Sequence, residues 1–253
     1  YLIKLSSMKK PYFILLLLFF TMNLGAQEIW IEAALKAGDG MSFLVNKNII
    51  NDNSYGYKMT NSYGLGAKVA VNFGPWHGVS LEAMYNNLGQ DFDYSLAGTT
   101  GRLRNSIGWK SIDTYLLYRY IRNRMYLETG PVYGVVQSVS QSDNGVELPA
   151  PEDFYEKSYV GGVFGFGGYI ATSGTFSIGL GVRLQYGFTD FVNDAGQKAG
   201  YPNPVRQSIY DSPATTHPAF AQFMVEFNFG VGRFARTSCG QRYHFIRSGR
   251  RRR

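Results

Sequence analysis

Between Gln27 and Phe229 the apolar residues recur at every second position rather than every third or fourth. The clearest run is Phe176, Ile178, Leu180, Val182, Leu184, Tyr186 and Phe188, interleaved with Ser177, Gly179, Gly181, Arg183, Gln185, Gly187 and Thr189. Tyr63 to Phe73 repeats it. One face is apolar along the whole segment and the other is small or polar, the period of a β-strand. The pattern predicts strands near 29–44, 62–73, 79–91, 107–121, 125–137, 158–171, 175–189 and 218–229. Most exceed the five or six residues usual in soluble sheets and meet the nine to eleven that a tilted strand needs to cross a bilayer. In the sixth, the glycines of 161–168 leave the outward face undetermined.

The connections alternate in length. Those at 74–78, 122–124 and 172–174 are short, whereas 46–61, 93–106, 138–157 and 190–217 are long. Tight turns at one end and long loops at the other are the pattern of outer-membrane barrels. The expected fold class is therefore all-β, an eight-stranded antiparallel up-and-down transmembrane β-barrel. Aromatic residues fall near both ends. Phe73, Trp76, Tyr120, Tyr126 and Phe176 lie by the short turns, and Tyr63, Phe92, Trp109, Tyr159 and Phe188 by the long loops, as expected of two interfacial belts.

The ends read differently. Met8-Lys9-Lys10, the apolar run to Phe20 and the small residues at Leu24-Gly25-Ala26 form a secretory signal, with cleavage expected after Ala26. The expected organisation is a leader over 1–26 starting at Met8, a barrel over 27–230, and a basic, disordered tail over 231–253. The net charge of +7 belongs to these ends. Lys4, Lys9, Lys10 and eight arginines after Phe229 account for 11 of the 25 Lys and Arg. The 14 that remain face all 18 acids, a balance of −4. A nucleic-acid partner read from the overall charge would rest on residues outside the barrel. Cys239, the single cysteine, lies in the same tail, so the chain cannot form an internal disulfide.

The segments Ser111–Tyr120, Tyr126–Gly134 and Arg183–Thr189 resemble strands of the Bacteroidetes PorT-like outer-membrane β-barrels, an OmpA/OmpX-like architecture. The likeness covers most of 27–229. Tyr115 departs from it, standing where those proteins usually carry proline. The resemblance implies an outer-membrane location, lipid as surroundings, and envelope or secretion-machinery proteins as partners, type IX secretion among the roles.

Alternation turns Glu32, Lys36, Lys68, Glu82, Asp113, Arg119, Glu128, Arg183 and Glu226 inward. Eight strands enclose only enough room for side chains, and buried charges must be paired, so these nine are expected to fill the lumen as a paired network. A narrow polar pore is the alternative. Enzymatic readings are weaker. His217 alone among three histidines lies near the long-loop rim, with Asp190, Asp211 and Ser212 as partners for a hydrolase, and no catalytic spacing recurs. No cofactor or metal motif is present, so the expected function is non-enzymatic: a structural, binding or envelope-assembly barrel whose long loops meet an extracellular ligand.

Overall fold

The computed structural model describes residues 29–95, 101–204, 212–236 and 243–246. Eight long strands make the wall: β1 (Ile29–Asn46), β2 (Thr60–Phe73), β3 (His77–Tyr94), β4 (Leu103–Arg122), β5 (Met125–Asp143), β6 (Ser158–Ser173), β7 (Phe176–Gly187) and β8 (Thr216–Arg236). Each pairs antiparallel with its neighbours in sequence, and β1 also pairs with β8, which closes the sheet. The fold is an eight-stranded antiparallel up-and-down transmembrane β-barrel.

The register fixes its dimensions. Following paired residues around the wall leads from Lys110 through Asn87, Tyr63, Asp39, Phe223, Val182, Phe166 and Leu127 to Tyr120, ten residues farther along the same strand. For eight strands this stagger sets a tilt of about 40°. The short turns owe their tightness to left-handed backbone. Asn123 and Arg124 both take positive φ, as a two-residue hairpin requires.

Outward on β4, Tyr118, Leu116 and Ile112 are exposed. Ile112 to Tyr120 covers about 20 Å of height at this tilt, close to the apolar band of such barrels. Leu81 and Tyr85 on β3, Phe164 and Phe166 on β6, and Leu180 and Leu184 on β7 continue the band.

Strands β3, β4 and β5 extend past this band toward the long loops. Their outward residues there are polar or small: Asn87 and Asp91, then Lys110, Gly108, Ser106 and Arg104, then Ser140 and Ser142. The inward residues change in the opposite sense. Leu88, Phe92, Ile107, Trp109 and Val139 are buried and join Leu44 and Phe220 in an apolar cluster. The barrel is therefore apolar outside and charged inside at one level, and polar outside with an apolar core above it. The upper part, the crown, is built like a water-soluble protein.

Three expectations change. The strands of the crown run farther than the alternation suggested, β4 beginning at Leu103 and β5 ending at Asp143. Serine-rich outward faces there look like loop. The upper belt also loses members: Phe92, Trp109 and Tyr159 are buried inside the barrel, and so is Tyr126 at the other end. The parity that turns Asp113 inward turns Trp109 inward too, and Glu128 carries Tyr126 with it. Finally, β8 does not stop near 230. It continues to Arg236, with Phe234 opposite Ile29, and Tyr243–Ile246 pairs back on Arg233–Arg236. The barrel wall thus reaches beyond the expected boundary into the basic tail; Cys239 lies outside the described residues.

Candidate functional site

The nine inward charged residues occupy two places. Seven strands each deliver one side chain to the middle of the lumen: Lys36 from β1, Lys68 from β2, Glu82 from β3, Arg119 from β4, Glu128 from β5, Arg183 from β7 and Glu226 from β8. The eighth, β6, supplies a glycine instead. Gly165 pairs with both Glu128 and Arg183, and a Cβ there would lie 2.7 Å from Glu128 Cγ. This resolves the sixth strand: Gly161, Val163, Gly165 and Gly167 face inward, and Phe164 and Phe166 outward.

Ion pairs join these groups. Glu226 accepts from Lys36 at 2.8 Å, Lys68 at 3.1 Å and Arg119 at 2.6 Å. Glu82 accepts from Lys36 and Arg183, each at 2.8 Å. Glu128 meets Arg183 at 2.6 Å and also Arg119. Glu32, lower on β1 and less buried, accepts from Lys68 at 2.8 Å. The guanidinium of Arg119 lies over the Tyr126 ring at 4.1 Å, and that of Arg183 over Tyr115 at 4.8 Å.

Four carboxylates thus face four cations. Glu82, Glu128 and Glu226 bring their oxygens within 4.8 Å of one another, the spacing of a metal site. Those oxygens already accept from Lys36, Arg119 and Arg183, so the charge a cation would neutralise is already met.

Asp113 stands apart. It is fully buried and accepts from Tyr159 Oη at 2.7 Å and Asn86 Nδ2 at 2.8 Å, with Tyr115 Oη at 3.3 Å. Neutral donors replace the cations there. Above it the apolar cluster closes the lumen. Phe191 packs on Trp109 at 5.4 Å and on Tyr155 at 5.2 Å between ring centres. Tyr155 donates to Gln141 Oε1 at 2.7 Å, and burial pushes its phenol well above the usual range.

On the outer face of the crown, Asp93 accepts from Lys58 at 2.8 Å and Arg104 at 3.0 Å. Burial opposes its charge, but hydrogen bonds and attraction from the two cations outweigh that and hold its carboxyl below the ordinary value.

The His217 constellation is not assembled. His217 stacks on Tyr186 and sits 3.0 Å from Thr215 Oγ1. Asp190 instead caps the backbone amides of Val192 and Thr216. Ser212 is exposed and its carbonyl accepts from Asn48; Asp211 lies outside the described residues.

Sequence reasoning missed the apolar cluster and the neutral cage of Asp113. Alternation was the signal available for both, since Asn86, Trp109, Tyr159 and Gln185 each share parity with an inward charge on the same strand or face its row.

No family model matches the chain, and no curated protein matches it. Among solved structures the chain is similar to the outer membrane protein OprG from Pseudomonas aeruginosa, at 15% identity over 83% of this chain and 97% of that one, with a TM-score of 0.43. It is also similar to Neisserial surface protein A, at 10% identity over 77% and 95%, TM-score 0.40. A third is Ail, the attachment invasion locus protein of Yersinia pestis, at 13% over 79% and 99%, TM-score 0.36. At these identities the likeness is one of fold.

Proposed function

We propose that this chain is an integral outer-membrane barrel without a conducting lumen, whose role is structural or binding and is exercised through its crown. The apolar band sits in the hydrocarbon layer, the short turns face the periplasm and the long loops face outward. The observation that carries this reading is the reversal of polarity between Ile112 and Lys110. Below it, Leu116 and Tyr118 face outward while Asp113 and Arg119 face inward; above it, Ser106 faces outward while Ile107 and Trp109 face inward. A soluble barrel has no use for the lower arrangement, and a lipid-embedded strand none for the upper.

Two layers supply the seal. The ion-paired network fills the middle, and the aromatic cluster caps it, so the polar interior serves as packing rather than as a path. A role in envelope assembly, type IX secretion included, is the narrower version that the PorT-like resemblance of Ser111–Tyr120 suggests. Cell fractionation tests the reading. The chain is expected with outer membranes, migrating faster on gels before boiling than after. Recovery in the soluble periplasm would overturn it.

A further inference from the structure

One acidic side chain breaks the apolar outer face of the wall. Asp39 shares its side of β1 with Leu35, Ala37 and Met41, while Lys36, Gly38 and Ser42 turn inward, and it is exposed. The register gives its depth. Asp39 belongs to the row that starts at Lys110, passes through Asn87 and Tyr63, and returns to β4 at Tyr120. At a tilt of about 40° that row descends toward the short turns by about 3 Å per strand. Asp39 on β1 therefore lies about 9 Å below Lys110, level with Thr114 and inside the apolar band. Among the described residues, no other Asp, Glu, Lys or Arg points outward between the levels of Lys110 and Tyr120.

Its surroundings do not neutralise it. Tyr63 on β2 and Phe223 on β8 flank Asp39 in its row, and Met41 follows it on β1; all three are exposed. Asn61 Nδ2 donates to Asp39 Oδ1 at 3.3 Å, a long contact from a neutral group. The inward carboxylates are treated otherwise, since Glu82, Glu128 and Glu226 each meet at least two cations. A charge at this depth is costly and normally marks a place where a partner meets it.

Three sources of positive charge can be compared. A lipid ammonium stays at the headgroup level, about 9 Å above Asp39, and an aspartate side chain is too short to reach it. A second copy offers Lys110 as the outward cation nearest the band, but that residue lies on β4, away from β1 around the wall and higher. A two-fold contact joining the β1 faces would instead set carboxylate against carboxylate. A different membrane protein is bound by neither constraint.

We propose that the outward face of β1 docks a second, different integral membrane protein, which presents a lysine or arginine to Asp39 inside the hydrocarbon layer. Tyr63, Phe223 and Met41 then surround the ion pair, and the low dielectric there strengthens it. The proposal rests on the outer-membrane reading.

Photo-crosslinking in the native host tests this. Benzoylphenylalanine is placed either at Phe223, beside Asp39, or at Tyr133 on β5, across the barrel. The Phe223 position should give a protein product whose added mass differs from that of a second copy, and the Tyr133 position should not give it. Asp39→Leu should abolish the product, and Asp39→Glu, which keeps the charge, should retain it. The purified chain in lipid vesicles supplies the second arm, read by energy transfer from a dye on the crown. A transmembrane leucine-alanine helix carrying one lysine should bind saturably, the same helix with leucine there should not, and Asp39→Leu should remove the difference. A product of two copies, a lipid adduct or no product at Phe223, a product indifferent to Asp39→Leu, or equal behaviour of the two helices would overturn the docking alone. Absence of the chain from outer membranes would overturn the membrane reading and the docking with it.

Discussion

Arg183 and Glu128 meet at 2.6 and 3.0 Å across Gly165, which pairs with both of them and has no side chain to part them. One glycine on β6 thus lets β5 and β7 join directly, and the ring of charges around the lumen closes through that contact.

Removing one member should expose the rest. Glu226 carries three cations, so Glu226→Ala leaves Lys36, Lys68 and Arg119 buried with a carboxylate fewer. A buried pair broken on one side costs about 3–5 kcal/mol. Denaturant unfolding in detergent should show a loss of that size. A loss below 1 kcal/mol would mean that water already reaches the network.

Much of the fold was legible in the sequence, for an identifiable reason. Strand alternation depends only on parity, and parity alone turns the nine charges from Glu32 to Glu226 inward. Height along the strand is a different quantity. Trp109 and Tyr159 lie at the level of an interface, and proximity to a loop end suggested lipid contact although parity pointed them inward. The crown escaped because its sign pattern is reversed. Asn87 or Ser140 facing outward looks like the start of a loop, until Leu88 and Val139 are seen to pack together. The Gly161–Gly168 segment was unreadable alone. Its glycines acquire a direction only from the Glu128 and Tyr126 side chains that fill the space opposite them.

The seal makes an electrical prediction. Protein reconstituted in planar bilayers should show no steady ohmic steps. The Trp109→Ala variant should remain silent too, because the ion-paired layer beneath it still fills the lumen. Reproducible large steps from the parent chain would return the account to the pore alternative.

Asp93 gives the crown a pH dependence with a definite sign. Its folded carboxyl titrates below the unfolded one, near 3.8, so its contribution is complete above that value and is lost as pH falls through the folded value. Lys58 and Arg104 are about half exposed, which limits the effect to less than about 1 kcal/mol. The amide protection factors of Tyr55–Lys58, which pairs with Asp91–Tyr94, should fall on acidification below pH 4 once the intrinsic slowing of exchange in acid is divided out. Asp93→Asn should remove that dependence, and an unchanged acid response in the variant would assign it elsewhere.

Truncation locates the end of the wall. Pairing between β1 and β8 runs through Ile29 opposite Phe234. A chain cut after Phe234 should insert and resist heat much as the parent does. One cut after Phe229 loses the partners of Ile29–Glu32 and should melt earlier. If both behave alike, the last turn of β8 contributes nothing to closure.

The reversal of polarity along β4 is the centre of this account, and nitroxide accessibility measures it most directly. Spin labels placed singly at Tyr118, Leu116, Thr114, Ile112, Gly108, Ser106 and Arg104, with Cys239 replaced by serine, sample outward positions from the band into the crown. In lipid vesicles, collision with oxygen should dominate from Tyr118 to Ile112, and collision with a water-soluble nickel chelate from Gly108 to Arg104, with the change falling at Lys110. Uniform accessibility to the nickel chelate along all seven positions would contradict it.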